Sequence, residues 1–237
     1  NKKFEKLFGS PARKEGEPIT RFYMDIAASI QKVLEYTVLK ICRSIKKETK
    51  MKHLCMAGGV ALNCVINGKI VKEGIFDDIW IQPAAGDAGG ALGAALLSFY
   101  EKSKKVARKK YNGSMDAMKG SLLGPSYSKN NISRELKNLG AKANYYTTQK
   151  IIELTSSALV KNKIIGWFQG NMEFGPRALG NRSILADPRS SVMQKNLNLS
   201  IKFRESFRPF APSILEEKLN EWFDTQTKSP YMLLVFD

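Results

Sequence analysis

The chain has 237 residues, of which 43% are apolar and 25% charged, the balance of a globular protein with a sizeable core rather than of a disordered chain. No run of 18 apolar residues occurs and the opening NKKFEKLFGSPARKEG lacks a signal-peptide core, so the sequence reads as a cytoplasmic protein without membrane association. A formal net charge of +16 suits a polyanionic partner, yet charge speaks to solubility and non-specific attraction more than to reaction.

Residues 19–47 place Phe22, Ile26, Ile30, Val33, Leu34, Val38, Ile41 and Ile45 at three- and four-residue steps, which predicts one long helix that packs along that face. Residues 53–57 read as a short buried strand, Gly58 and Gly59 as a turn, and 60–71 as a helix. A second strand at 78–82 runs into Pro83, a glycine-rich turn and a helix from 91 to about 106. Alternating helices and strands give an α/β layer. Periodicity fades over about 103–129, where a boundary belongs. Its cluster of Lys102, Lys104, Lys105, Arg108, Lys109 and Lys110 is read as a solvated linker, because no arginine-aromatic recognition motif accompanies it.

Beyond the boundary the pattern predicts helices at 132–139 and 149–161, a strand near 143–146, a strand at 164–168, a helix at 192–201, a helix at 216–223 and a strand at 231–236. A sequence that stops inside a strand hints at truncation. Cys42, Cys55 and Cys64 form no CxxC pair and read as buried small hydrophobes. His53, the only histidine, reads as a core or strand-edge residue rather than a metal ligand.

Three blocks could carry chemistry. AGGVALN at 57–63 sets paired glycines between a strand and a helix, which serves either a nucleotide-contacting turn or tight helix-strand packing. It matches neither a P-loop nor a GxGxxG fingerprint. PAAGDAGGALGAA at 83–95 repeats the arrangement, with Asp87 amid Gly86, Gly89, Gly90 and Gly93, either as a helix N-cap or as a carboxylate beside a ligand. Two such turns in succession suggest one cleft at the edge of a sheet. In the third block, residues 174–212, seven cations (Arg177, Arg182, Arg189, Lys195, Lys202, Arg204 and Arg208) face two carboxylates, which suggests a receptor for phosphate or carboxylate oxygens. Arg177 follows the rigid Gly175-Pro176 turn. Arg204 stands next to Glu205 and reads as paired or exposed, Arg208 emerges between Phe207 and Phe210, and Lys202 either meets ligand or caps a helix.

These blocks, with GWFQGNMEFGPRALGNRSILADPR and IKFRESFRPFAPSIL, resemble the NodU/TobZ-like O-carbamoyltransferase family over nearly the whole chain. The resemblance implies that residues 1–105 are the C-terminal portion of an actin-like ATPase domain (the ASKHA superfold, Kae-like), 106–128 a linker, and 129–237 the N-terminal portion of a YrdC-like α/β domain. It implies a reaction in which carbamoyl phosphate and ATP yield carbamoyladenylate, whose carbamoyl group passes to a hydroxyl of a small-molecule acceptor. It assigns Arg177, Lys202 and Arg208 to carbamoyl phosphate and the adenylate. Gly58, Gly59, Asn63, Gly89, Gly90, Arg182 and Ser183 become nucleotide or accessory contacts, and Asp87 a ligand of a divalent metal, iron first and magnesium second. The metal-binding histidines and later arginines of the family are missing, so the chain is expected to be an inactive fragment with parts of two sites. A homodimer is compatible with this reading. The rivals are a YrdC-like RNA- or nucleotide-binding protein and a sugar-kinase-like ATPase; nucleic acid is the less favoured partner.

Overall fold

The computed structural model describes residues 1–103, 106–107 and 116–236. Lys104, Lys105, Arg108, Lys109 and Lys110 of the basic cluster, and the linker section 108–115, lie outside the described residues. The chain divides into two compact units, Asn1–Leu54 with Val65–Ile79, and Cys55–Cys64 with the chain from Trp80 onward. No helix among the described residues is long and apolar enough to cross a membrane.

The first unit opens with α1 (Lys2–Phe8), a helix the periodicity did not announce, N-capped by the Asn1 side chain and closed by Gly9 in the left-handed region. The predicted long helix is α2 (Arg21–Thr49). Its apolar stripe, however, stays open: Ile30 is 65%, Val33 59% and Ile41 51% exposed. The core forms around Cys42, Phe76 and the fully buried Ile66 and Ile70 of α3 (Cys64–Lys72). A polar tie crosses this core. Glu35 of α2 is buried and accepts from Lys69 of α3 and from Gln31 Nε2 at 3.2 Å. The Lys69 ammonium holds the Glu35 carboxyl below its ordinary range against the opposing cost of burial.

Strands β1 (His53–Met56) and β2 (Asp78–Ile81) form a two-stranded sheet. The Asp77 amide donates to the Lys52 carbonyl at 2.8 Å and the Gln82 amide to the Met56 carbonyl at 3.0 Å, so the strands run in the same direction. β1 is not the buried strand that its apolar run suggests, because its residues alternate exposed and half-buried, with His53 and Cys55 exposed. Among the cysteines, only Cys42 is fully buried. The helix expected at 60–71 is broken: Gly59–Leu62 forms a 3-10 turn, and Asn63 takes an extended conformation (ψ 92) that ends it before α3.

In the second unit, α4 (Asp87–Lys102) begins four residues earlier than its apolar run, because the Gly89 and Gly90 amides both close onto the Gly86 carbonyl. α5 (Lys129–Asn138) and α6 (Thr148–Val160) are N-capped by the Ser128 and Thr147 side chains. Residues 143–146 between them are an exposed connection rather than a strand, with the Tyr145 hydroxyl bonded to Ser133 Oγ at 3.0 Å instead of a ladder. β3 (Ile165–Phe168) pairs antiparallel with β4 (Arg182–Leu185), an unforeseen strand, in the register Ile165 to Leu185 and Phe168 to Arg182. α7 (Met193–Asn196) runs into a π-helical turn at Leu197–Ile201, and a 3-10 turn at Glu216–Lys218 leads into the short α8 (Leu219–Trp222).

The strand expected at 231–236 does not form. Met232 adopts φ +53, which no strand accommodates, and Tyr231 is anchored by its hydroxyl to Asp116 Oδ1 at 2.8 Å. Asp116 also accepts from Trp80 Nε1 at 3.2 Å and from the Met118 amide at 2.8 Å, and burial with this carboxylate pushes the Tyr231 phenol up to about 12. Truncating Ile70 to Ala, at a position with 0% exposure, is expected to cost the first unit about 3 kcal/mol, read as a lower midpoint in urea unfolding of the chain.

Candidate anion site

All three motif blocks meet within the second unit. The Gly58 amide donates to the Ala85 carbonyl at 2.7 Å, which ties the AGGVALN turn to the PAAGDAGG turn. At the start of α4, a Cβ on Gly89 would lie 2.0 Å from the Ala84 carbonyl oxygen, so this glycine is required by the chain's own packing. Gly59 and Gly90 have no such reason: a Cβ there would meet nothing within 4 Å, as at Gly58. The third block docks onto the second through Gly175, whose φ of +124 lets the backbone pass 3.3 Å from the Ala84 Cβ and 3.4 Å from the Pro83 carbonyl, measured to the position of a Cβ. Two residues later the Arg177 guanidinium crosses to the first block and donates from Nη2 to the Leu62 carbonyl at 3.3 Å. Its Nε is buried and has no hydrogen-bond partner among the described residues.

What shapes this loop is a residue the motif reading passed over. Glu173, with its side chain fully buried, accepts the amides of Leu179 and Asn181 on Oε1, each at 2.7 Å, and Arg182 Nε on Oε2 at 3.1 Å. Burial raises the carboxyl's pKa, but the amides of Asn181 and Leu179, its own backbone amide and Arg182 together outweigh it, and the net shift is downward. Arg182 therefore serves as a counterion inside the loop, and its Nη2 reaches the Arg177 carbonyl at 3.4 Å. Ser183 Oγ accepts the Gly180 amide at 3.0 Å. Both residues expected as accessory contacts are engaged in holding the turn.

Lys202 and Arg208 belong to a second loop, built on α7. Asn198, with 0% exposure, donates from Nδ2 to the carbonyls of Ser206 at 3.1 Å and Arg208 at 2.7 Å. Its Oδ1 accepts Arg204 Nε at 2.7 Å. Gln194 Nε2 adds bonds to the Phe207 and Arg208 carbonyls at 3.2 and 3.1 Å. Arg204 donates to Asn198 and stacks on Phe210, 4.9 Å from its ring centre. Glu205 meets Arg208 Nε at 2.7 Å, both side chains being substantially exposed, and Phe207 is 65% exposed rather than part of an apolar frame. Lys202 is exposed at the end of the π turn. Arg189 is bound to Asp187, whose carboxyl that guanidinium draws down to about 2.

Asp87 is the first helical residue of α4, not its N-cap, which is Gly86. It is exposed, and among the described residues no group of three or more His, Cys, Asp or Glu side chains is placed to hold a metal ion.

Comparison with known families fits this assembly of blocks. Residues 1–96 match the carbamoyltransferase N-terminus and residues 156–237 the carbamoyltransferase C-terminus. The chain belongs to the carbamoyltransferase family. An uncharacterized protein of Synechocystis sp. is 50% identical to this chain over all of it, and the match takes in 38% of that relative. The nodulation protein NolO of Bradyrhizobium diazoefficiens is 44% identical over 94% of the chain and 40% of its own length, and nodulation protein U of Rhizobium fredii 36% identical over 77% and 28%. The chain spans less than half the length of these curated relatives. Both cation-bearing loops fall inside the matched C-terminal region.

Two outcomes follow from the loop geometry. Gly89→Ala forces the start of α4 off the Ala84 carbonyl and should lower stability by about 2 kcal/mol in denaturant unfolding. Because the folded Glu173 carboxyl titrates below its unfolded value, its stabilisation is present above about pH 4.3 and is lost as pH falls through the lower folded value. The protection of the Leu179 and Asn181 amides, taken relative to the intrinsic exchange rate at each pH, should accordingly be high near neutrality and fall in strong acid, as read by NMR.

Proposed function

We propose that this chain carries part of the carbamoyl phosphate site of an O-carbamoyltransferase. In the net reaction, carbamoyl phosphate, ATP and water give carbamoyladenylate, phosphate and pyrophosphate. An acceptor hydroxyl then attacks the carbamoyl carbon, AMP leaves, and the hydroxyl proton is released. The observation that carries this reading is Arg177: a guanidinium fixed at the junction of three motif blocks, with a buried Nε that has no protein acceptor among the described residues. A buried donor without an acceptor is costly, and an anionic oxygen would satisfy it.

Within this reading Arg177 orients a phosphate or carboxylate oxygen, and Lys202 and Arg208 add positive charge where negative charge accumulates on the α-phosphate during adenylate formation. To do so Arg208 exchanges its exposed Glu205 partner for the substrate, a small loss because such surface pairs contribute little. The open glycines at 58, 59 and 90, with Asn63, would lie along the nucleotide. Asp87, as the family resemblance implies, would give one carboxylate to a divalent metal; the steps assigned to this chain do not depend on it. The acceptor, as the family resemblance implies, would be a hydroxyl of a small molecule. Lys195 has no assigned role.

Calorimetry of the chain tests this. Carbamoyl phosphate should bind, and Arg177→Gln should weaken it by about tenfold or more, while Arg134→Gln on α5 leaves it unchanged. RNA binding that falls steeply with salt, without carbamoyl phosphate binding, would favour a nucleic-acid role. Tight ATP binding indifferent to carbamoyl phosphate would favour a kinase-like ATPase.

A further inference from the structure

We infer that Glu173 and Asn198 are the positioning residues of the two cation-bearing loops, each setting the backbone from which the anion-binding side chains project. The inference rests on the carbamoyl phosphate reading above and extends it to groups that meet no substrate.

The two residues do complementary work. Glu173 is an acceptor and collects donors: two loop amides and one guanidinium. Asn198 is chiefly a donor and collects acceptors: two loop carbonyls, with one guanidinium on its remaining oxygen. Each is buried, and each holds an arginine (Arg182 or Arg204) that braces the loop. Arg177 lies between Glu173 and the amides that Glu173 binds, so the closed turn from 173 to 181 sets its direction. The Arg208 carbonyl is the acceptor of the shorter Asn198 bond, so the origin of the Arg208 side chain is fixed even though its guanidinium is exposed. A loop built from Gly, Pro and polar residues has no apolar core of its own to fix it, and these buried polar groups supply that constraint.

The chemistry of the replacements makes the inference testable. In Glu173→Gln the Oε1 bonds to Leu179 and Asn181 can persist, but an amide N–H then faces the Arg182 Nε–H, donor against donor. In Asn198→Asp the acceptor for Arg204 persists, but a carboxylate oxygen faces the carbonyls of Ser206 and Arg208. The experiment measures carbamoyl phosphate affinity of the folded chain by calorimetry, well below its melting temperature, together with amide shifts and exchange by NMR. Glu173→Gln is expected to perturb amides of 175–182 and Asn198→Asp those of 202–210, each weakening carbamoyl phosphate by about tenfold or more. A lower melting temperature with unchanged affinity and unchanged loop amides would overturn the inference, since a structural residue behaves that way.

If either variant fails to fold, two milder changes decide. Arg182→Lys leaves Glu173 and its amide bonds in place but removes the fork that reaches the Arg177 carbonyl, and Gln194→Ala removes only exposed bonds to the Phe207 and Arg208 carbonyls. Loss of affinity by several-fold in both supports the inference, and unchanged affinity in both sinks it. If the unaltered chain binds neither carbamoyl phosphate nor inorganic phosphate, the functional reading falls. The positioning roles are then judged by the loop amides alone, whose indifference to both buried substitutions would overturn them.

Discussion

One buried carboxylate sets the geometry of the site. Taking Glu173 out of water is unfavourable, and the cost is met only because two amides and a guanidinium converge on it. That convergence needs the chain between 174 and 182 to turn back on itself. The turn brings Gly175 against Ala84, and from there Arg177 reaches the Leu62 carbonyl. Release the carboxylate, and the contact between the motif blocks loses its anchor on one side.

The same logic sorts the five arginines of the cationic segment. Concentrated positive charge in a short segment would repel itself if each group stood free, and four of these guanidinium groups are engaged. Arg182 neutralises Glu173, Arg189 is held by Asp187, and Arg204 lies between Asn198 and the Phe210 ring. Arg208 rests against Glu205 at the surface. Arg177 differs from these because its buried nitrogen faces no protein oxygen among the described residues. Cation count thus says little about anion binding. What matters is which guanidinium the fold has left with an unmet donor in a fixed direction.

Local signals were legible in the sequence wherever one helix or turn decides the outcome. The apolar period of α2, the cores of β1, β2 and β3, and the glycine-rich entry to α4 all stand near where pattern places them. Long-range choices were not legible. The run 231–236 has strand composition, but the anchoring of Tyr231 on Asp116 and the left-handed Met232 turn it into a packed tail. β4 is short, and its pairing with β3 depends on the turn that Glu173 holds. Arg177 followed from its glycine-proline turn, whereas Glu173 and Asn198 look like ordinary polar residues until burial is known. The available clues were a lone acid just before a cationic turn and an asparagine directly after the buried Leu197.

The uncovered stripe of α2 links back to the charge of the chain. Ile30, Val33 and Ile41 present an adhesive apolar strip to solvent, and a net charge of +16 opposes close approach of two such strips through mutual repulsion. That repulsion acts over a Debye length of about 10 Å in 0.1 M salt and about 3 Å in 1 M salt, while apolar attraction is not screened. Ionic strength therefore sets the balance at this strip: repulsion dominates in dilute buffer and weakens as counterions accumulate.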